Sequence, residues 1–177
     1  GGYVSAYEQV DIDDMFAKRR QWSVEHVVPR SHINGQYPHP AENDPIGWVE
    51  ATSSANSSRS NHPLYLWPDP SGSFAIPRTL VQVDGELHYV PPMEQRARLA
   101  RKWLFIRATY TDIDPPSTAQ VERASKIIAL AQHYPVQRAE LRVNADYRER
   151  LRWANPLLEK GSEIWFETPA WRALIFD

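Results

Sequence analysis

The chain has 177 residues, 20 Lys+Arg against 22 Asp+Glu for a formal charge of -2, 42% hydrophobic and 24% charged residues, and no cysteine. That length and balance fit one ordinary soluble domain and exclude a disordered or fibrous chain. They also exclude disulfides, thiolate metal sites and cysteine nucleophiles, and a surface that is basic overall, so any nucleic-acid contact must come from a local patch.

No run approaches the roughly 18 consecutive apolar residues of a membrane span, and the first thirty residues hold no signal-like segment. The Gly1-Gly2 start is compatible with a trimmed chain, which leaves an export signal open. No internal repeat or low-complexity tract is present, and the 15 prolines punctuate a loop-rich middle.

In chain order, Tyr7 to Arg20 is expected as a short helix with a loose stripe of Val10, Met15 and Phe16. Trp22 to Val28 reads as a strand closed by Pro29, followed by a turn-rich excursion with Asn34-Gly35 at a tight turn. Pro45 to Ser58 is expected as a helix, with Asp44 as N-cap and Pro45 in its first position. The run RTLVQVDGELHYV alternates about Asp84-Gly85, the signal of a two-residue hairpin. Three helices should follow. Pro92 to Tyr110 is the broad-faced core helix, Ser117 with Gln120 caps a second that runs to Tyr134, and Asn144 caps a third that Pro156 interrupts.

One dipeptide stands out against this background. Glu25 and His26 are neighbours in a strand, so their side chains point to opposite faces and one must leave the apolar side. Downstream, ANSSRSNHPLY offers Asn56, Arg59 and Asn61 in a polar stretch flanked by Trp48 and Trp67. A carboxylate, an imidazole, an amide oxygen and a guanidinium make a hard-cation site with a base and an anion clamp. Those parts suit phosphodiester hydrolysis, in which a base near neutral pKa takes a proton from water and positive charge meets the developing phosphorane.

VEHVVPRS followed by NSSRSNHPLY resembles the endonuclease I family of periplasmic and secreted non-specific nucleases, within the ββα-metal (HNH-like) superfamily. EQRARLARKWLFIRATY, residues 94–110, is similar to the helix that follows the family's nuclease motif, and WRALIFD to its last segment. The resemblance implies an α+β, mostly helical single domain over 1–177, built around a ββα-metal core at about residues 22–61, with a small antiparallel sheet or hairpins. It implies a Mg²⁺-dependent endonuclease that cuts DNA, with RNA left open, with little sequence preference and 5′-phosphate products. Mn²⁺ or Ca²⁺ would substitute.

Carried over by position, His26 is the base and Glu25 and Asn56 are the metal ligands. Arg59 clamps the phosphate, with Arg30 as the alternative. Asn61, Arg101 and Lys102 would touch nucleic acid, the last two as part of a basic run with Arg96, Arg98 and Arg107 that would otherwise be a solvated face. The sequence departs from the family where a strand is expected ahead of the Asn helix, because NDPIGWVEATSSA occupies that place. Asn56 and Asn61 also suit a helix end and a turn. A second reading therefore stands beside the first: a nuclease-like module that binds nucleic acid or serves a structural role without cutting.

Overall fold

A computed structural model describes residues 6–7, 21–33, 39–69, 76–159 and 169–177. The helix expected at Tyr7 to Arg20 and the Asn34-Gly35 turn lie, apart from Tyr7, outside the described residues. Within them the chain is α+β, with seven helices and two small antiparallel sheets.

Strand β1, Trp22–His26, pairs antiparallel with β2, Trp48–Thr52, in a register running from Trp22 opposite Thr52 to His26 opposite Trp48. Among the described residues between them lie a 3-10 turn at Arg30–His32, the four-residue helix α1, Pro40–Asn43, and a second 3-10 turn at Pro45–Gly47. Here the expected helix from Pro45 to Ser58 is corrected. Asp44 does cap, its Oδ1 accepting from Ile46 N at 2.9 Å, but the turn it starts is a 3-10 turn that stops at Gly47. Pairing with β1 then draws 48–52 into a strand whose Val49 and Ala51 are buried, so tertiary pairing overrides local helical spacing.

Thr52 caps the real helix, α2, Ser53–Arg59, by accepting from Ala55 N through Oγ1 at 3.2 Å. The chain leaves α2 through Ser60 at φ 53° and ψ -131°, a positive φ that residues other than glycine rarely adopt. The expected hairpin is present as β3, Leu80–Val83, and β4, Glu86–Tyr89. Asp84 and Gly85 between them have φ 51° and 86°, as a type I′ turn requires.

Helix α3, Met93–Thr109, is the central beam, and all its residues from Gln95 to Arg107 are buried. The basic run is thus interior rather than a solvated face or a groove lining. Each cation is matched to a polar group on another element: Arg96 with Asp69, Arg98 with Glu50, and Arg101 with Glu140. Gly47 passes so close to the beam that a Cβ there would sit 3.0 Å from the Ile106 side chain.

The Ser117–Gln120 capping box forms, but the helix it starts is broken at Arg123 into α4, Thr118–Glu122, and α5, Ala124–His133. Arg123 instead bonds Asp84 at 2.6 Å and lies over the Trp67 ring at 5.1 Å. In the third helix, α6, Arg138–Leu151, Gln137 rather than Asn144 is the cap. Asn144 is buried mid-helix and bonds the returning backbone in both directions: its Nδ2 donates to Asn155 O at 3.1 Å, and its Oδ1 accepts from Asn155 N at 2.7 Å. A carboxamide mimics a peptide group, so it can pair with a strand-like segment as readily as it caps. Helix α7, Pro169–Phe176, packs Trp171 and Ile175 into the core, with Phe176 against Trp103.

Candidate active site

The β1–β2 pair and α2 bring residues from both sequence motifs to one open groove, lined by Glu25, His26, Arg30, Asn56, Arg59 and Asn61 together with Val24, Pro29, Ser31 and Ser60. Their sequence separation is bridged by the antiparallel pairing of β1 with β2, after which α2 folds back over β1.

Glu25 and His26 take opposite faces of the strand, as the alternation of side chains demands. Glu25 faces inward and is 3% exposed. Its Oε1 accepts from Arg59 Nη1 in an ion pair and from the Tyr7 hydroxyl at 3.2 Å. Burial pushes the Tyr7 phenol up to about 12, so at neutral pH it is a donor. Both contacts use the same oxygen, Oε1.

His26 is half-buried on the other face, edge-on to Trp48 at 6.0 Å between ring centres. Its Nε2 lies 2.9 Å from the Glu42 carbonyl oxygen. A carbonyl only accepts, so in the neutral ring Nε2 carries the hydrogen and Nδ1 holds the lone pair. Burial, the leading cause, holds the imidazole below its usual pKa, against the Glu42 carbonyl bond, which raises it. The ring is therefore neutral at pH 7, with one basic nitrogen of fixed identity.

Asn56, three residues before the end of α2, donates through Nδ2 to Ser23 Oγ at 2.9 Å. With the nitrogen anchored, the oxygen is the atom the amide can offer a cation. Arg30 is a half-free guanidinium at the mouth, its side chain 61% exposed and paired with Glu42 at 3.1 Å. Asn61 is exposed on the same rim.

Arg59 occupies a different position from a phosphate clamp. It is 1% exposed, and besides Glu25 it donates to His62 O at 2.8 Å, His26 O at 2.8 Å and Val27 O at 3.1 Å. Its donors are spent on the chain itself, which makes it the strut that fixes the Glu-His backbone and leaves Arg30 as the guanidinium open to an anion.

Arg101 and Lys102, expected on nucleic acid, are corrected. Arg101 is 1% exposed and clamped by both Glu140 oxygens at 3.0 and 2.6 Å, while the Lys102 ammonium donates to Ile46 O at 2.8 Å beneath the surface. Alternation of Arg with Ala and Leu around a helix buried on all sides carries no signal of this, because the same pattern describes a solvated face.

Among the described residues no group of three or more His, Asp or Glu side chains converges on a point, so a cation here would rest on fewer protein ligands. One carboxylate and one carboxamide oxygen, with water and substrate completing the shell, suit Mg²⁺, which dehydrates reluctantly. Sequence reasoning missed Tyr7, Ser23, Glu42 and Trp48, whose roles depend on strand register and on a carbonyl that has no sequence signature. No protein-family model and no curated protein matches the chain.

Proposed function

We propose that this chain is a Mg²⁺-dependent endonuclease that hydrolyses DNA with little sequence preference, RNA being a second candidate substrate, and that β1, β2 and α2 are its ββα-metal core. The observation that carries this reading is the meeting of His26, Glu25 and Asn56 at one groove, with the His26 tautomer fixed by the Glu42 carbonyl. Nδ1 of His26 takes the proton of the attacking water, while Nε2 keeps its hydrogen on Glu42 O. Glu25 and Asn56 would hold the cation, which when bound stabilises charge on the phosphate and the leaving oxygen.

Arg59 acts as a positioning residue, aiming the Glu25 carboxylate and the backbone of His26 and Val27. Arg30 draws the scissile phosphate to the groove. Products with 5′-phosphates follow from this family resemblance. Because Arg59 already neutralises Glu25, metal binding is weak until a substrate phosphate adds its oxygens. The same ion pair is what favours the second reading, a non-cutting nucleic-acid-binding module.

One assay separates them: supercoiled plasmid incubated with Mg²⁺, with and without EDTA, using wild type and His26→Ala. EDTA-sensitive nicking that disappears in the variant supports the nuclease. Nicking that persists unchanged in His26→Ala removes this mechanism, and binding without cutting in Mg²⁺ and Mn²⁺ selects the module.

A further inference from the structure

The buried cations of α3 differ in one respect. Arg96, Arg98 and Arg101 each face a carboxylate, and Lys102, whose pKa burial lowers to about 8, can shed its charge. Arg107 has neither remedy. It is 5% exposed, and among the described residues no carboxylate forms an ion pair with it. Nη1 donates to the Asp114 backbone oxygen at 2.6 Å, the guanidinium lies 4.8 Å over the Trp103 ring, and the buried Nε has no hydrogen-bond partner. The Asp114 carboxylate reaches it only through its field. That incompletely cancelled charge is felt nearby: after burial, Arg107 is the next cause that lowers the pKa of His32.

A guanidinium keeps its proton at neutral pH even with its pKa lowered to about 10, so among the described residues this is a buried cation without an ion-paired carboxylate and with its Nε unbonded. It lines an open pocket of about 270 Å³ whose walls include Ile113, Pro115, Pro116 and Leu174, with Asp177 at the side. We propose that this pocket binds a monocarboxylate with an apolar body, the carboxylate on Arg107 and the body against the proline and aliphatic walls. A planar carboxylate matches the guanidinium fork. The Asp177 carboxylate opposes any anion in this space but a phosphate dianion more strongly than a monoanion, and the apolar walls give a bare ion nothing to bury. The site lies apart from the Glu25–His26 groove in its lining residues and does not depend on the nuclease reading.

The test is calorimetric titration of the whole chain with sodium hexanoate, hexanamide and inorganic phosphate at constant ionic strength. Hexanoate should saturate one site, with hexanamide and phosphate at least tenfold weaker. Arg107→Gln should weaken hexanoate at least tenfold, and so should Leu174→Trp, which fills the pocket from an exposed position (Leu174 is 56% exposed). If Arg107→Gln does not fold, Leu174→Trp decides. Hexanamide or phosphate binding as tightly as hexanoate, unchanged hexanoate affinity in a folded variant, or no saturable binding by wild type would each overturn the proposal.

Discussion

The Arg59 guanidinium closes over the Glu25 carboxylate from the last turn of α2 while holding the carbonyls of His26 and Val27 on the same fork. One side chain thus fixes both the acid and the backbone that carries the imidazole. Removing it leaves a carboxylate buried without its counter-ion, a loss of about 3–5 kcal/mol. Arg59→Ala should lower the urea midpoint by a corresponding amount, and Arg59→Lys should recover only part, since an ammonium cannot reproduce the fork. A denaturation midpoint equal to wild type in Arg59→Ala would contradict the strut.

Ser23 supports the candidate site through Asn56, whose amide nitrogen donates to the Ser23 hydroxyl. Partners that orient a ligand in this way are worth about 10–100-fold in metal affinity or activity. Ser23→Ala should therefore raise the Mg²⁺ concentration needed for half-maximal nicking about tenfold, with the thermal unfolding temperature little changed. Metal titrations of the plasmid assay read this directly.

Arg30 is exposed and Arg101 is buried, so the two arginines should behave oppositely. Arg30→Ala should weaken DNA binding by the non-cutting His26→Ala protein and reduce the slope of log K against log salt by about 0.9, the loss of one phosphate contact. Arg101→Met should leave that slope alone but strip Glu140 of its partner and destabilise the fold by about 3–5 kcal/mol. Fluorescence anisotropy at several salt concentrations, beside urea melts, distinguishes them.

Lys102 gives the stability curve a signature in alkali. Burial lowers its folded pKa to about 8 against 10.5 for an unperturbed lysine. Between these values the unfolded chain binds the extra proton, so stability rises with pH across that window, by an amount on the order of 3 kcal/mol for the full shift. Above pH 10 the trend is opposed by Tyr7 and Tyr65, both raised to about 12, because the unfolded chain then loses phenol protons that the folded one keeps. Urea melts from pH 8 to 10 should show the rise in wild type, and Lys102→Met should flatten it.

The sequence by itself determined the parts governed by short-range chemistry. Asp84-Gly85 dictated a type I′ hairpin because both positions need positive φ, Ser117 and Gln120 built their capping box, and alternation alone put Glu25 and His26 on opposite faces. Tertiary structure decided the rest. Residues 48–52 became a strand because β1 lies alongside them, Asn144 left its expected cap to pair with Asn155, and Arg96, Arg98 and Arg101 of α3 turned inward because each met a carboxylate far along the chain. A charged residue's environment is set by what packs against it, and Asp69, Glu50 and Glu140 lie 27 to 48 residues away from the arginines they neutralise. No local pattern carries that distance, which is why Arg59 reads as a clamp in the sequence and stands as a strut in the fold.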